Sequence, residues 1–135
     1  MMTVARMQCG LLLAMAVGLV PIALSYGAAP QASLPWLFGI DASGVPTRHI
    51  FRAIMGLYIA LICLWIAGAM HTGLRVHALW SLFVFTSGLA LGRSLSLLLD
   101  GWPGPLLFVY LLAEMAVAAS AAWLIARNSE QRGGA

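Results

Sequence analysis

Arg52, Arg93, Asp100 and Glu114 lie within or at the ends of long apolar stretches. An unpaired charge there costs several kcal/mol, so each of these groups needs a partner or a task. Two guanidiniums and two carboxylates can pair with one another. The planar Arg fork can also grip a carboxylate or phosphate bidentately, and a carboxylate such as Glu114 can carry a proton. Helical spacing adds neighbours. His49 precedes Arg52 by three residues and faces the same way; Arg93, Ser96 and Asp100 follow i, i+3, i+7; Tyr110 and Glu114 are i, i+4.

Depth decides which of them can meet. At the rise of an α-helix, Arg93 lies roughly 10 Å below the end marked by Asp100, and Glu114 about 12–13 Å below the start of the following stretch. The tight segment 100–105 between them, Asp-Gly-Trp-Pro-Gly-Pro, makes the two helices antiparallel neighbours. An Arg93–Glu114 pair is therefore expected. Arg52, about one turn into its helix, is expected to snorkel or to meet Asp100. Arg52, Arg93, Asp100, Glu114, His49 and Tyr110 would then line one polar pocket opening outward. Such a cluster can hold helix register and bind nothing, or it can receive a small anionic or amphipathic ligand.

Other chemistries find no support. There is no hydrolase motif, P-loop, dinucleotide fingerprint or HExxH metal site, and no catalytic residue is assigned. No cofactor is expected: bis-His haem ligation needs facing imidazoles at one depth, whereas His49 sits at one edge and His71 and His77 fall in a loop. Cys9 and Cys63 have no ligand-spaced Cys or His nearby and read as small packing residues. No metal site is expected.

The positioning elements follow from hydropathy. Apolar runs cover about 7–26, 50–70, 78–99 and 106–126, each close to the roughly 20 residues a helix needs to cross a bilayer. The chain is 62% hydrophobic and 8% charged, too few charges to cover a water-soluble globule. The fold expected is all-α: a single four-helix transmembrane domain over 1–135. All seven basic residues are Arg, and they are scattered between apolar helices rather than clustered on a wet face, so no nucleic-acid partner is expected. Arg6, Arg75, Arg127 and Arg132 share one side, which the positive-inside rule places in the cytoplasm, giving an N-in/C-in topology. A cleaved signal peptide ending near Gly27-Ala28-Ala29 is the competing reading, but the first run exceeds the 7–15 residues typical of its apolar region.

Trp65, Trp80 and Trp123 are expected at the cytoplasmic boundary, and Tyr26, Trp36 and Trp102 at the outer one. Within the long loop 27–49, residues 33–38 read as a short interfacial segment, 41–46 as turns, and Thr47 as the N-cap of the second span. The loop 71–77 holds His71 and His77 in solvent or at headgroups. Residues 129–135 are expected to be disordered. Gly88, Gly92 and Ser96 form a small-residue strip for helix packing, with Ala14, Gly18, Ala118 and Ala122 as further packing positions.

Two blocks carry a resemblance: His49-Ile50-Phe51-Arg52-Ala53-Ile54-Met55-Gly56-Leu57-Tyr58, and Gly88-Leu89-Ala90-Leu91-Gly92-Arg93-Ser94-Leu95-Ser96-Leu97 through Asp100-Gly101-Trp102-Pro103. Together they resemble the BphX-like and related domain-of-unknown-function families of small bacterial four-helix membrane proteins, over about residues 26–114. DoxX-type proteins are a more distant resemblance. The likeness implies a multi-pass protein of the bacterial inner membrane and places Arg52, Arg93, Asp100 and Glu114 at the family's polar positions. Those families bring no biochemical activity with them. Some members are encoded beside enzymes of aromatic-compound degradation, which hints at an apolar or aromatic ligand.

The function expected is that of a non-enzymatic membrane protein, an accessory or ligand-binding subunit. Its partners would be membrane lipid, a small apolar or anionic ligand, and a second copy or another membrane protein. The alternative is a small proton- or cation-coupled transporter or channel using Glu114. A membrane enzyme with Glu114 as general acid or base has the least support, since no nucleophile accompanies it.

Overall fold

The computed structural model describes residues 3–133, with side chains through residue 128. It is all-α: α1 (Val4–Gly27), α2 (Pro30–Phe38), α3 (Val45–Met70), α4 (Thr72–Leu99) and α5 (Pro105–Gly133). Four of these, all but α2, are long and apolar enough to cross a membrane. The chain reverses at each connection, so the ends of α1 and α4 and the starts of α3 and α5 gather at the end that carries α2. The opposite end carries His71.

Local chemistry sets the boundaries. Pro30 opens α2, where its missing N–H costs nothing. Gly39 closes it at φ 66, a left-handed cap in which Gly39 N–H reaches the Pro35 carbonyl (3.1 Å) and Ile40 N–H the Leu34 carbonyl (3.2 Å). α3 starts earlier than expected, because Pro46 in the first turn already has helical φ; Gly44 is its N-cap, and Thr47 lies inside the helix. Gly101 and Gly104 at φ 93 and 94 turn the chain sharply between α4 and α5.

The expected loop 71–77 is nearly absent. His71 alone separates α3 from α4, so His77 and Arg75 are helical, and both histidines are exposed. Arg75 explains why no longer loop is needed. Its Nε and Nη2 donate to the Gly68 (3.4 Å) and Ala69 (3.2 Å) carbonyls at the end of α3, where the helix itself supplies no further N–H donors. At the other terminus α5 continues through Gly133, past the expected end at 126. Of the tail expected to be disordered, residues 134–135 and the side chains from 129 on, Arg132 included, lie outside the described residues.

Packing follows chain order: α1 rests mainly on α3, α3 on α4 and α4 on α5, while α5 touches α1 lightly. Leu12, Ala16, Leu19 and Ala23 give α1 one buried face at helical spacing. The close approach is at Gly68, where a Cβ would collide with that of Ala78 and touch Leu12. A second lies at Gly27, against Met55. The strips expected for packing lie elsewhere: Ala14 and Gly18 are exposed, and Ala121, not Ala118 or Ala122, is fully buried on α5.

Two aromatic residues expected at membrane boundaries are core instead. Trp65 is fully buried, its indole N–H donating to Ser81 Oγ at 3.1 Å. Tyr26 is buried among Phe38, Phe51 and Tyr58, with ring centroids 5.4, 5.5 and 5.7 Å away. Amphipathic rings serve either place, and a hydroxyl partner or an aromatic neighbour decides it. Trp36, Trp80, Trp102 and Trp123 are exposed. Cys9 is half-buried with its thiol on the Ala69 carbonyl (3.4 Å), whereas Cys63 is exposed rather than packed; both are free thiols.

Candidate functional site

The Gly101–Gly104 turn lays α5 antiparallel on α4 and so brings Glu114 to Arg93. Arg93 Nε donates to both carboxylate oxygens, 3.0 Å to Oε1 and 2.9 Å to Oε2. The two side chains are 23% and 13% exposed, so the pair is mostly withdrawn from the surface. Tyr110, one turn before Glu114, places its ring 5.7 Å from the guanidinium carbon, within cation–π range. Tyr26 approaches Arg93 from α1.

Nε is a single N–H, so a pair made through it leaves both terminal nitrogens of the guanidinium without a bond to Glu114. Among the described residues no buried side-chain nitrogen or oxygen lacks a hydrogen-bond partner. Tyr26, from α1, lies within side-chain hydrogen-bonding reach of the same guanidinium, so Arg93 meets both α5 and α1.

Two spaces adjoin Arg93. A partly open cavity of about 100 Å³ lies between α1, α3, α4 and α5, lined by Leu19, Tyr58, Phe85, Thr86, Tyr110 and Glu114 among others. A groove of about 360 Å³ runs along α3 and α4, lined by Tyr26, Phe51, Ile54, Tyr58, Gly88, Leu89, Gly92, Arg93 and Ser96. Tyr58, Leu89 and Arg93 border both, forming the wall between them. Tyr58 is itself held edge-on by Phe85 (5.5 Å), which meets Trp65 (5.8 Å), so an aromatic chain stiffens that wall.

A family model described as a domain of unknown function, DUF4345, matches residues 7–125, nearly the whole chain. The chain belongs to the DUF4345 family. No curated protein matches it, and no solved structure does.

Of the six polar residues singled out in this DUF4345 chain, the structure brings together Arg93, Glu114 and Tyr110. Asp100 stays on α4, its Oδ2 accepting from Ser96 Oγ at 2.8 Å. Arg52 does not meet Asp100; its Nε donates to the Gly27 carbonyl at 3.4 Å. The reason is the order of packing: Arg52 lies on the side of α3 that meets α1, whereas Asp100 ends α4 on the other side of α3. Arg52 and His49 instead line a separate surface groove of about 440 Å³ with Val45, Arg48 and Ala53, all from α3. The single pocket expected from the sequence is thus two separate places.

The Gly88–Gly92–Ser96 strip also has a different setting. A Cβ built on Gly88 or Gly92 would meet nothing within 4 Å, so no helix of this chain packs there, and the strip forms one side of the groove.

Sequence reasoning missed Tyr58, Phe51 and the buried position of Tyr26. A signal was present: Phe51, Ile54 and Tyr58 are spaced i, i+3, i+7, one face of a helix. It also missed Gln8, a buried amide whose Nε2 reaches the Leu124 carbonyl at 3.5 Å and ties α1 to α5. Among the described residues no three His, Cys, Asp or Glu side chains gather as a metal site would require. Thr86 Oγ1, the other buried polar group, donates to the Leu82 carbonyl of its own helix at 2.8 Å. The site thus presents a guanidinium, phenols and aromatic faces.

Proposed function

We propose that this DUF4345 protein is a non-enzymatic membrane protein that holds a small lipid-soluble ligand at Arg93 and serves as an accessory or carrier subunit. The observation that carries the reading is the largely withdrawn Arg93–Glu114 pair at the edge of a groove. Glu114 engages Nε, Tyr26 lies within hydrogen-bonding reach of the same guanidinium, and Arg93 borders an open groove of about 360 Å³.

The same proposal places the protein in a bacterial inner membrane, related to the BphX-like proteins, with both termini in the cytoplasm. Arg6, Arg75 and Arg127 at the His71 end support that orientation, set against Arg48 and Arg52 at the α2 end. A reporter active only outside the cytoplasm, fused after residue 135, would stay silent if the orientation is right.

The decisive experiment is purification in mild detergent followed by native mass spectrometry. A bound small molecule is expected on the wild-type protein and absent from the Arg93→Met/Glu114→Leu double variant, with helicity retained in both. Recovery of the wild type always empty, together with a pH-dependent cation flux in proteoliposomes that disappears in Glu114→Gln, would replace this reading with transport.

A further inference from the structure

Val45, Arg48, His49, Arg52 and Ala53 follow i, i+3, i+4, i+7, i+8 and so form one stripe along the start of α3. They line a surface groove of about 440 Å³ that holds two guanidiniums, an imidazole and no acid.

No carboxylate balances that charge. Among the described residues neither Arg48 nor Arg52 forms an ion pair, and the first turn of α3 contains no acidic residue. The carboxylates of Asp41 and Asp100, at the same end of the bundle, accept instead from the Ser43 and Ser96 hydroxyls. Arg52 Nε donates to the Gly27 carbonyl at 3.4 Å; the Arg48 side chain has no hydrogen-bond partner among the described residues. Like charges one helical turn apart repel each other, so an anion placed between them is stabilised by both.

The surroundings restrict which anion fits. Trp36 and Trp102 are exposed at this end, as residues at headgroup depth are. Val45, Ile50 and Leu57 are exposed on the same helix, and offer apolar surface to acyl chains. A free phosphate would use the charge and leave that surface idle, whereas a phospholipid uses both. A zwitterionic headgroup would bring an ammonium beside two guanidiniums; a headgroup with net negative charge brings none. The guanidinium fork matches phosphate oxygens.

We infer that Arg48 and Arg52 bind the phosphate of one anionic phospholipid in the leaflet at the α2 end, with His49 as a further donor and the acyl chains along the exposed apolar surface of α3. The site is separate from Arg93 and does not depend on the ligand proposed there. It also gives a task to two arginines on the side that the positive-inside rule leaves poor in basic residues.

The test titrates the delipidated full chain in detergent with phosphatidylglycerol or phosphatidylcholine of identical acyl chains, and reads bound lipid by native mass spectrometry. Wild type is expected to retain one phosphatidylglycerol with about tenfold preference over phosphatidylcholine. Arg48→Gln/Arg52→Gln should abolish the preference with helicity retained. Arg48→Gln alone should reduce it, and replaces the double variant if loss of the Gly27 contact prevents folding. Arg6→Gln, at the opposite end of α1, should leave the preference intact, and so should Arg93→Met/Glu114→Leu, which separates this site from the one at Arg93. Equal retention of the two lipids by wild type would overturn the inference. So would a preference that survives Arg48→Gln/Arg52→Gln or that falls equally in Arg6→Gln, since either would mean attraction to the net charge of the chain. Displacement of phosphatidylglycerol by equimolar inorganic phosphate would overturn the assignment to a lipid.

Discussion

Arg93 holds Glu114 by Nε, at 3.0 and 2.9 Å from the two carboxylate oxygens, and so closes a helix–helix ion pair, while Tyr26 from α1 lies within hydrogen-bonding reach of the same guanidinium. One side chain thereby ties α4 to α5 and also meets α1. The consequences for stability and for binding are separable by mutation.

Arg93→Met leaves a withdrawn carboxylate unpaired, and Glu114→Leu leaves a withdrawn guanidinium. Each should lower stability by about 3 kcal/mol, the cost of breaking a buried pair from one side. The joint Arg93→Met/Glu114→Leu change removes both charges and should return most of that loss. A thermal melt in detergent reads all four proteins; a double variant as unstable as the singles would show that the pair is not the unit.

Trp65 is fully buried with its N–H on Ser81. Trp65→Phe should cost about 1–3 kcal/mol, mostly for the lost hydrogen bond and the space left behind. Trp36→Phe, at an exposed position, should be close to neutral. Equal effects of the two on the melting temperature would contradict the burial of Trp65.

Glycines on α3 and α4 should divide by environment. Gly68→Val forces its branches into Ala78 and Leu12 and should destabilise by roughly 1–3 kcal/mol or more. Gly88→Ala meets open space and should be neutral or stabilising, since Ala is the better helix former. The melting temperatures of the two variants decide this directly.

Arg75→Gln should fray the last turn of α3, because two carbonyls lose a charged donor. Faster hydrogen exchange confined to residues near His71 is the expected signature, with the Arg93 groove unaffected. Exchange rising throughout α3 and α4 would instead mean that Arg75 supports the whole helix pair.

The turn at Asp41 carries a local pH dependence. Ser43 donates to the carboxylate from its amide and its hydroxyl, both at 2.9 Å, and these bonds hold the Asp41 pKa below its ordinary value. A lowered carboxyl pKa means that the turn has its full support above the ordinary value and loses it as pH falls through the lower one. The Ser43 amide resonance should therefore titrate at a pH below the usual carboxylate range, and in Asp41→Asn that titration should vanish.

Hydropathy alone determined four long helices, because a bilayer accepts only segments that satisfy their own backbone, and such segments must be apolar throughout. The short element was legible in part, as residues 33–38 from their Trp and Phe, although α2 begins earlier at Pro30; the sharp 100–105 turn was legible from its Pro and Gly residues. Equal depth along two antiparallel helices was also sufficient to anticipate that Arg93 and Glu114 meet. Which faces of those helices become interior was left to the tertiary structure. A helix that is apolar all round carries little periodic signal to say which side meets a neighbour and which meets lipid. Packing therefore put Trp65 and Tyr26 inside, turned Arg52 to the Gly27 carbonyl instead of Asp100, and left Gly88 and Gly92 facing a groove. Only the three-dimensional arrangement of α3 and α4 could decide those positions, because each depends on the rotation of one helix about its axis against the next.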